Sequence, residues 1–224
     1  MLKIEHTQVD GFEATIRGMR NPMNSWEKSD SPMACESLVG EADLNLMQRL
    51  VRGGPDHAKF LRMIIVTCDI TAPLYWWKEF DTYKVGTVAN SCSTMHKIHA
   101  KEFTLDDFSC EHLMDMQEQE ALIFYSSNIP EIFNFKGVME QTISTLNNAR
   151  QLYLETKDKK YWWQMIQLLP SSYNQKRTVQ MNYQVLHAMD SRKGHKLDEW
   201  HQLLEWRNEL PYYADIFGGQ TNEI

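Results

Sequence analysis

The chain has 224 residues, of which 42% are hydrophobic and 24% are charged, and these values are typical of a globular protein. The 23 Lys and Arg residues against 30 Asp and Glu residues give a formal net charge of −7, so non-specific binding to a nucleic-acid backbone is not expected. The longest apolar runs, such as residues 63–66, are too short to cross a bilayer, so no membrane association is expected.

The first residues and the cysteines indicate a cytoplasmic protein. The start, MLKIEHTQVDG, carries an acid and a histidine where a signal peptide needs a basic end and an apolar run. The four cysteines are scattered, with no CxxC pair, so neither a disulfide framework nor a metal site is predicted. No Pro/Ser-rich linker or change in composition divides the chain, and residues 1–224 are therefore expected to form a single domain.

The first elements follow from periodicity and turn residues. Residues 2–7 alternate between apolar and polar, which predicts a short strand, and residues 21–31 are mainly turn formers. Asp43 is expected to cap a helix that starts at Leu44 and ends at the Gly53-Gly54-Pro55 turn.

The next segments predict a strand, a helix and a polar loop. Residues 60–70 are rich in β-branched side chains and predict a buried strand. Pro73 suits the first turn of a helix, because the amide hydrogen that proline lacks would be unpaired there. A loop of small and polar residues follows at 85–93, and residues 104–107 read as a capping box.

The second half of the chain is predicted to be mainly helical. Apolar residues recur at three- and four-residue steps from Val138 to Tyr153, and a further apolar helix at 161–169 ends at Pro170. Residues 171–182 are polar with interspersed apolar residues. Helices are then predicted at 183–189 and 196–209.

This order of elements resembles that of the flavin-dependent thymidylate synthases. In that family a His-containing turn precedes a strand that ends in Ala-Pro, and a helix and the signature RHRxxSxNExSxR follow. Here His57 lies in the turn, Ala72-Pro73 matches the Ala-Pro, and residues 82–94 align with the signature without gaps.

The later matches are fewer. Leu168-Leu169-Pro170 corresponds to the Leu-Pro turn of the family, Asn182 to its helix-opening asparagine and Arg192 to its late arginine. The matching segments cover about two-thirds of the chain. Lys78 stands where the family usually has an arginine, and Glu79 stands at a glutamine position.

Within the signature, this chain has replaced most of the charged residues. Thr82 and Thr94 stand at arginine positions, and Tyr83 stands at the histidine position. Lys84 keeps a positive charge, but as a point charge without the planar fork with which a guanidinium holds phosphate. The first family serine is Thr87 here, and the family glutamate is Asn90.

The resemblance implies an α+β fold, with a central sheet and flanking helices, in a homotetramer. It implies FAD as cofactor, folate and NADPH as co-substrates, and reductive methylation of dUMP to dTMP or related one-carbon or redox chemistry on a pyrimidine nucleotide or analogue. The residues that it assigns to the cofactor are His57, Tyr83, Lys84 and Asn182. Those that it assigns to the substrate are Lys78, Glu79, Thr87, Asn90 and Arg192, with Arg192 also as the catalytic residue.

The loop at 85–93 and the whole protein each have more than one interpretation. The loop is either a ligand cradle, in which Gly86 allows close approach, or a polar connector between helices. The protein is an enzyme, a catalytically inactive protein of the same fold that binds a nucleotide or a flavin, or a purely structural interaction protein.

Overall fold

The elements of the protein are described from a computed structural model, which covers residues 1–32, 38–114 and 134–218. Strand β2 (Ile65–Pro73) is rich in β-branched residues, which favour extended backbone. Its alternate side chains Val66, Cys68 and Ile70 are at most 1% exposed. Strand β1 (Lys3–Asp10) pairs with β2 in antiparallel orientation, with an irregularity between Glu5 and Gln8.

Within the described residues, four strands form one sheet. Strand β3 comprises Val88–Ser91 and strand β4 comprises Asn174–Asn182, and the strand order is β1-β2-β4-β3. The predicted class, a mixture of helices and sheet, is therefore confirmed. The short strand predicted near residues 2–7 is present and continues to Asp10.

Helices make up most of the remaining elements. Their bounds are α1 Phe12–Arg20, α2 Glu41–Arg52, α3 Leu74–Phe80, α4 Thr94–Lys97, α5 Phe135–Thr156, α6 Lys159–Leu168, α7 Tyr183–Ala188, α8 Asp198–Asn208 and α9 Tyr213–Phe217. Short 3₁₀ turns at Asp81–Tyr83 and Met189–Arg192 extend α3 and α7. Among the described residues, no helix is long and apolar enough to cross a membrane.

The chain divides into two compact units. One contains Ala72–Lys78 and Ser91–Lys176, and its core includes Ile98, Phe108, Leu146 and Met165. The capping box predicted at residues 104–107 lies in this unit and is confirmed, because Thr104 and Asp107 each accept the backbone N–H of the other.

The second unit contains Leu2–Thr71, Glu79–Asn90 and Arg177–Ile224. Aromatic rings are prominent in its core. Phe12 and Tyr183 meet edge to face at 6.1 Å between centroids, and Tyr183 and Tyr213 do so at 5.1 Å. The expectation of one domain over residues 1–224 stays a prediction.

The prediction of a strand over residues 60–70 is wrong in its first half. Ala58–Arg62 forms a 3₁₀ helix, and β2 begins only at Ile65. Phe60 and Leu61 are both buried, whereas consecutive residues of a strand point to opposite faces. A short apolar run does not by itself distinguish these two structures.

The predicted capping role of Asp43 is also wrong. Helix α2 begins at Glu41, three residues before the predicted start at Leu44, and the Asp30 carboxylate accepts the backbone N–H groups of Ala42 and Asp43 at 2.8 and 3.2 Å. The Asp43 side chain is fully buried and instead binds the Arg20 guanidinium at 2.6 Å. The helix nevertheless ends at the predicted glycines, with Gly54 at φ +92°.

Two further differences concern segments with weak sequence signals. The stretch predicted as a loop at 85–93 contains strand β3, and the polar stretch 171–182 contains strand β4. Both strands carry many polar residues, and β3 is exposed throughout, so neither has the apolar alternation of a half-buried strand.

Candidate functional site

Two 3₁₀ turns of the second unit bring polar side chains together. The turn after α3 carries Tyr83, Glu79 lies in the last turn of α3, and the turn after α7 carries Ser191 and Arg192. Arg192 Nη1 donates to Glu79 Oε2 at 2.7 Å, and its Nε donates to the Tyr83 hydroxyl at 3.1 Å. The hydroxyls of Tyr83 and Ser191 lie 3.2 Å apart. With Trp200, these residues form what we call the Arg192 cluster.

Aromatic rings support the guanidinium of this cluster. The Arg192 Cζ atom lies 5.1 Å from the ring centroid of Trp200 and 5.7 Å from that of Tyr83, both within the range of cation–π attraction. Trp200 is fully buried and stacks on Phe80 with an interplanar angle of 18°. The position of Arg192 is thus fixed by packing as well as by hydrogen bonds.

The electrostatic environment favours the charged form of Arg192. The hydrogen bond to Tyr83 is the largest effect and raises the pKa of the guanidinium, and the charge of Glu79 adds to it, while partial burial opposes both. The Arg192 side chain remains 20% exposed and that of Glu79 41% exposed. The cluster therefore presents a permanent cation and a carboxylate at an accessible surface.

Asn182 and Gly86 form a second polar location in the same unit. Asn182 precedes α7 and caps it, because its side-chain oxygen accepts the Val185 backbone N–H at 3.0 Å. Gly86 has φ +84°, and a Cβ added there would lie 3.1 Å from both Asn182 Nδ2 and Val185 Cγ2. Only glycine fits this close approach without strain.

Thr87 follows Gly86 and carries a buried hydroxyl. Its Oγ1 has no hydrogen-bond partner among the described residues. A buried hydroxyl without a partner is costly, and such groups are often satisfied by water or by a ligand. The turn at residues 84–87 thus combines a close backbone approach with an unsatisfied donor.

The other residues assigned from the sequence are more dispersed. His57 is exposed in the turn before Ala58, with its ring beside Gly53, and no described hydrogen bond joins it to the Arg192 cluster. Lys84 is exposed, and its carbonyl accepts the Thr87 N–H at 3.4 Å. Asn90 is exposed on β3, and Lys78 is exposed in α3, within the first unit.

Sequence reasoning did not identify Ser191 as part of the cluster. Its side chain donates to the Ala188 carbonyl at 3.2 Å, which holds the hydroxyl beside Tyr83. The sequence signal for Ser191 is its position next to Arg192. Asp81 is a further omission, because it binds Arg177 at 2.8 Å beside the same turn.

These elements together have the fold of the flavin-dependent thymidylate synthases. A structure of thymidylate synthase X from Helicobacter pylori with FAD and dUMP matches with a TM-score of 0.64 and 16% sequence identity, covering 97% of each chain. A flavin-dependent thymidylate synthase from the same organism, complexed with FAD and dUMP, matches with a TM-score of 0.63 and 16% identity, covering 96% of this chain and 97% of that one. No protein-family model and no curated protein sequence matches the chain.

Proposed function

We propose that this protein is a flavin-dependent enzyme of the thymidylate synthase type, which carries out reductive methylation or related one-carbon or redox chemistry on a pyrimidine nucleotide or analogue. One observation carries the proposal. One hydrogen-bonded cluster contains three residues that the sequence assigns to substrate or cofactor, namely Glu79, Tyr83 and Arg192. The fold that carries this cluster is shared with such enzymes.

On the substrate side, Arg192 is the central residue. Its remaining N–H groups would donate to a ring carbonyl and draw electron density from the ring, and Trp200 and Tyr83 would keep the guanidinium in place. Ring polarisation requires a cation of fixed orientation, and two hydrogen bonds at 2.7 and 3.1 Å provide one. Lys78, Thr87 and Asn90 are the other proposed substrate contacts.

The residues beside the 84–87 turn are the proposed flavin contacts. A Cβ at Gly86 would lie 3.1 Å from Asn182 Nδ2, so the glycine keeps a side chain away from Asn182. Asn182, Lys84 and His57 would hold the cofactor, and Tyr83 would contribute its ring, since Arg192 and Ser191 already engage its hydroxyl. FAD would supply hydride and methylene transfer, with folate and NADPH as co-substrates.

The assembly and location complete the proposal. We infer a cytoplasmic homotetramer, because the flavin-dependent thymidylate synthases that this chain resembles bind FAD at subunit interfaces. Neither a membrane nor a nucleic acid is a proposed partner, and the net charge of −7 is consistent with a small-molecule ligand.

Flavin binding and turnover test the proposal separately. Purified protein should carry flavin or take up added FAD, as seen in the absorbance spectrum after gel filtration. With FAD, folate donor and NADPH, the protein should release tritium from ring-tritiated dUMP or 2′-deoxyuridine, and Arg192→Ala should abolish the release. A protein that never takes up flavin contradicts the proposal. Flavin uptake without any turnover supports the inactive binding protein instead.

A further inference from the structure

Each of the three arginines in residues 177–218 is paired with a carboxylate. Arg192 binds Glu79 at 2.7 Å, Arg177 binds Asp81 at 2.8 Å, and the buried Arg207 binds Asp190. A phosphate monoester is held best by guanidinium groups that are free to form two parallel charge-assisted bonds. A carboxylate already bound to the guanidinium repels a second anion at the same place.

The Arg192–Glu79 pair retains unused hydrogen-bond donors and an unused hydrogen-bond acceptor. Arg192 has five N–H groups, of which the described bonds use two, on Nε and Nη1. Glu79 accepts through Oε2, so its Oε1 is an acceptor that no described side chain occupies. Because both side chains are partly exposed, the pair presents donors next to an acceptor at a surface that a ligand can reach.

A donor beside an acceptor is complementary to a carbonyl beside an N–H. Such an edge occurs in the amide and imide groups of uncharged pyrimidine rings. The opposite charges of the pair cancel, so the recognition depends on hydrogen bonds and on the packing of the aromatic rings, and a net negative ligand gains little.

We infer that Glu79 determines the specificity of the Arg192 cluster, which selects an uncharged pyrimidine, as a nucleoside or a free base, over the corresponding nucleotide. This inference rests on the proposed function for its choice of a pyrimidine ring. The Glu79 carboxylate accepts a hydrogen bond from the ring N–H and neutralises the charge of Arg192. The Arg192 guanidinium donates to the adjacent ring carbonyl. The phosphate of a nucleotide finds no arginine without a carboxylate partner in residues 177–218.

The test compares 2′-deoxyuridine with dUMP, because the two share ring and sugar and differ only in the phosphate. Isothermal titration of the FAD-treated protein should give a dissociation constant at least tenfold lower for 2′-deoxyuridine. Glu79→Gln leaves Arg192 uncompensated and should reduce this preference at least tenfold, whereas Glu79→Asp, which keeps the charge, should retain most of it. Glu205→Gln, at an exposed position of α8, is the matched control and should leave the preference within twofold.

The possible outcomes separate this inference from the proposed function. Tighter binding of dUMP to the wild type, an unchanged preference in Glu79→Gln, or no binding of either ligand overturns the inference. Flavin uptake together with tighter dUMP binding leaves the proposed function standing. Binding of 2′-deoxyuridine with the expected preference, but without flavin uptake, supports the specificity and contradicts the proposed enzyme.

Discussion

At the scale of single residues, the proposed role of Arg192 is ligand binding, and its contribution to stability should be small. Its ion pair with Glu79 is partly exposed, and exposed pairs contribute only about 0–1 kcal/mol to folding. Arg192→Ala should therefore lower the free energy of unfolding by about 1 kcal/mol, including the lost packing on Trp200. Ligand binding should fall by tenfold or more, since a charge-assisted hydrogen bond contributes about 1.5–3 kcal/mol.

Urea denaturation and ligand titration on the same preparations measure the two effects of Arg192→Ala. Lys193→Ala is the matched control, because Lys193 is a neighbouring cation whose side chain is 63% exposed. It should change neither quantity appreciably. A loss of several kcal/mol of stability in Arg192→Ala would assign the arginine a mainly structural role.

Protonation of the buried Asp43 carboxylate should lower the free energy of unfolding. Burial of its carboxyl tends to raise the pKa, but hydrogen bonds from Ser29, Ser31 and Arg20, with the charge of Arg20, outweigh burial and lower the pKa below its usual 3.8. A carboxyl with a lowered folded-state pKa contributes stability that is fully present above the unfolded pKa. This contribution is lost as the pH falls through the folded pKa.

Asp43→Asn should therefore lower the free energy of unfolding at neutral pH. It should also reduce the loss of that free energy as the pH falls. The substitution leaves the Arg20 charge buried without its partner, and breaking a buried pair in this way costs about 3–5 kcal/mol. Urea denaturation at pH values from 7 to below 4 measures both effects. The exposed Asp56→Asn should behave like the wild type, and an Asp43→Asn variant that keeps the wild-type acid sensitivity would contradict the assignment.

At the scale of elements, the turn at residues 84–87 depends on Gly86. An alanine there would need a positive φ, and its Cβ would lie 3.1 Å from the side chains of Asn182 and Val185. We expect Gly86→Ala to destabilise the protein by about 1–3 kcal/mol, as is usual for a strained backbone position. It should also weaken flavin uptake, because Asn182 is a proposed cofactor contact.

Gly194 provides the control for this substitution. A Cβ at Gly194 would meet no atom within 4 Å, and its φ is outside the left-handed region. Thermal and urea denaturation of Gly86→Ala and Gly194→Ala should therefore differ clearly. Equal stabilities would show that the 84–87 turn adapts without cost.

Helices were easier to predict from the sequence than strands, for physical reasons. Helix α5 has a long 3.6-residue apolar period, and Asn182 opens α7 as a capping residue, so both were recognisable. Strand β4 mixes Gln, Lys, Arg and Thr among its apolar residues, and α1 follows a glycine without a side-chain cap. Strand β4 was missed because its formation depends on pairing with distant strands. Helix α1 buries Phe12, Ile16 and Met19 at helical spacing, so the sequence carries a signal for it that the absent cap left unrecognised.

At the scale of the whole molecule, the candidate site could not be derived from sequence spacing. Glu79 and Arg192 are 113 positions apart, and no local pattern brings them together. They were selected through the resemblance to a known family, and the fold of that family is confirmed by the structural matches. The sequence carries no signal for the pairing itself, because the resemblance assigns Glu79 and Arg192 only as separate substrate contacts.

The proposed tetramer can be tested on apolar surface of the first unit. Helices α5 and α6 expose Phe135, Val138 and Leu168, with Val138 66% exposed. A shallow hollow of about 210 Å³ lies beside Val138 and Leu168. Exposed apolar patches of this kind often mark interfaces, and we expect a further copy of the chain to cover this one.

Light scattering after gel filtration should give a mass near four times 26.4 kDa. Val138→Lys places a charge in the expected interface, and burial of an unpaired charge is costly, so the variant should elute as a smaller species. Ser144→Lys, at an exposed position on a different face of α5, should keep the wild-type mass. A wild-type monomer would contradict the tetramer, and unchanged assembly of Val138→Lys would move the interface to another surface.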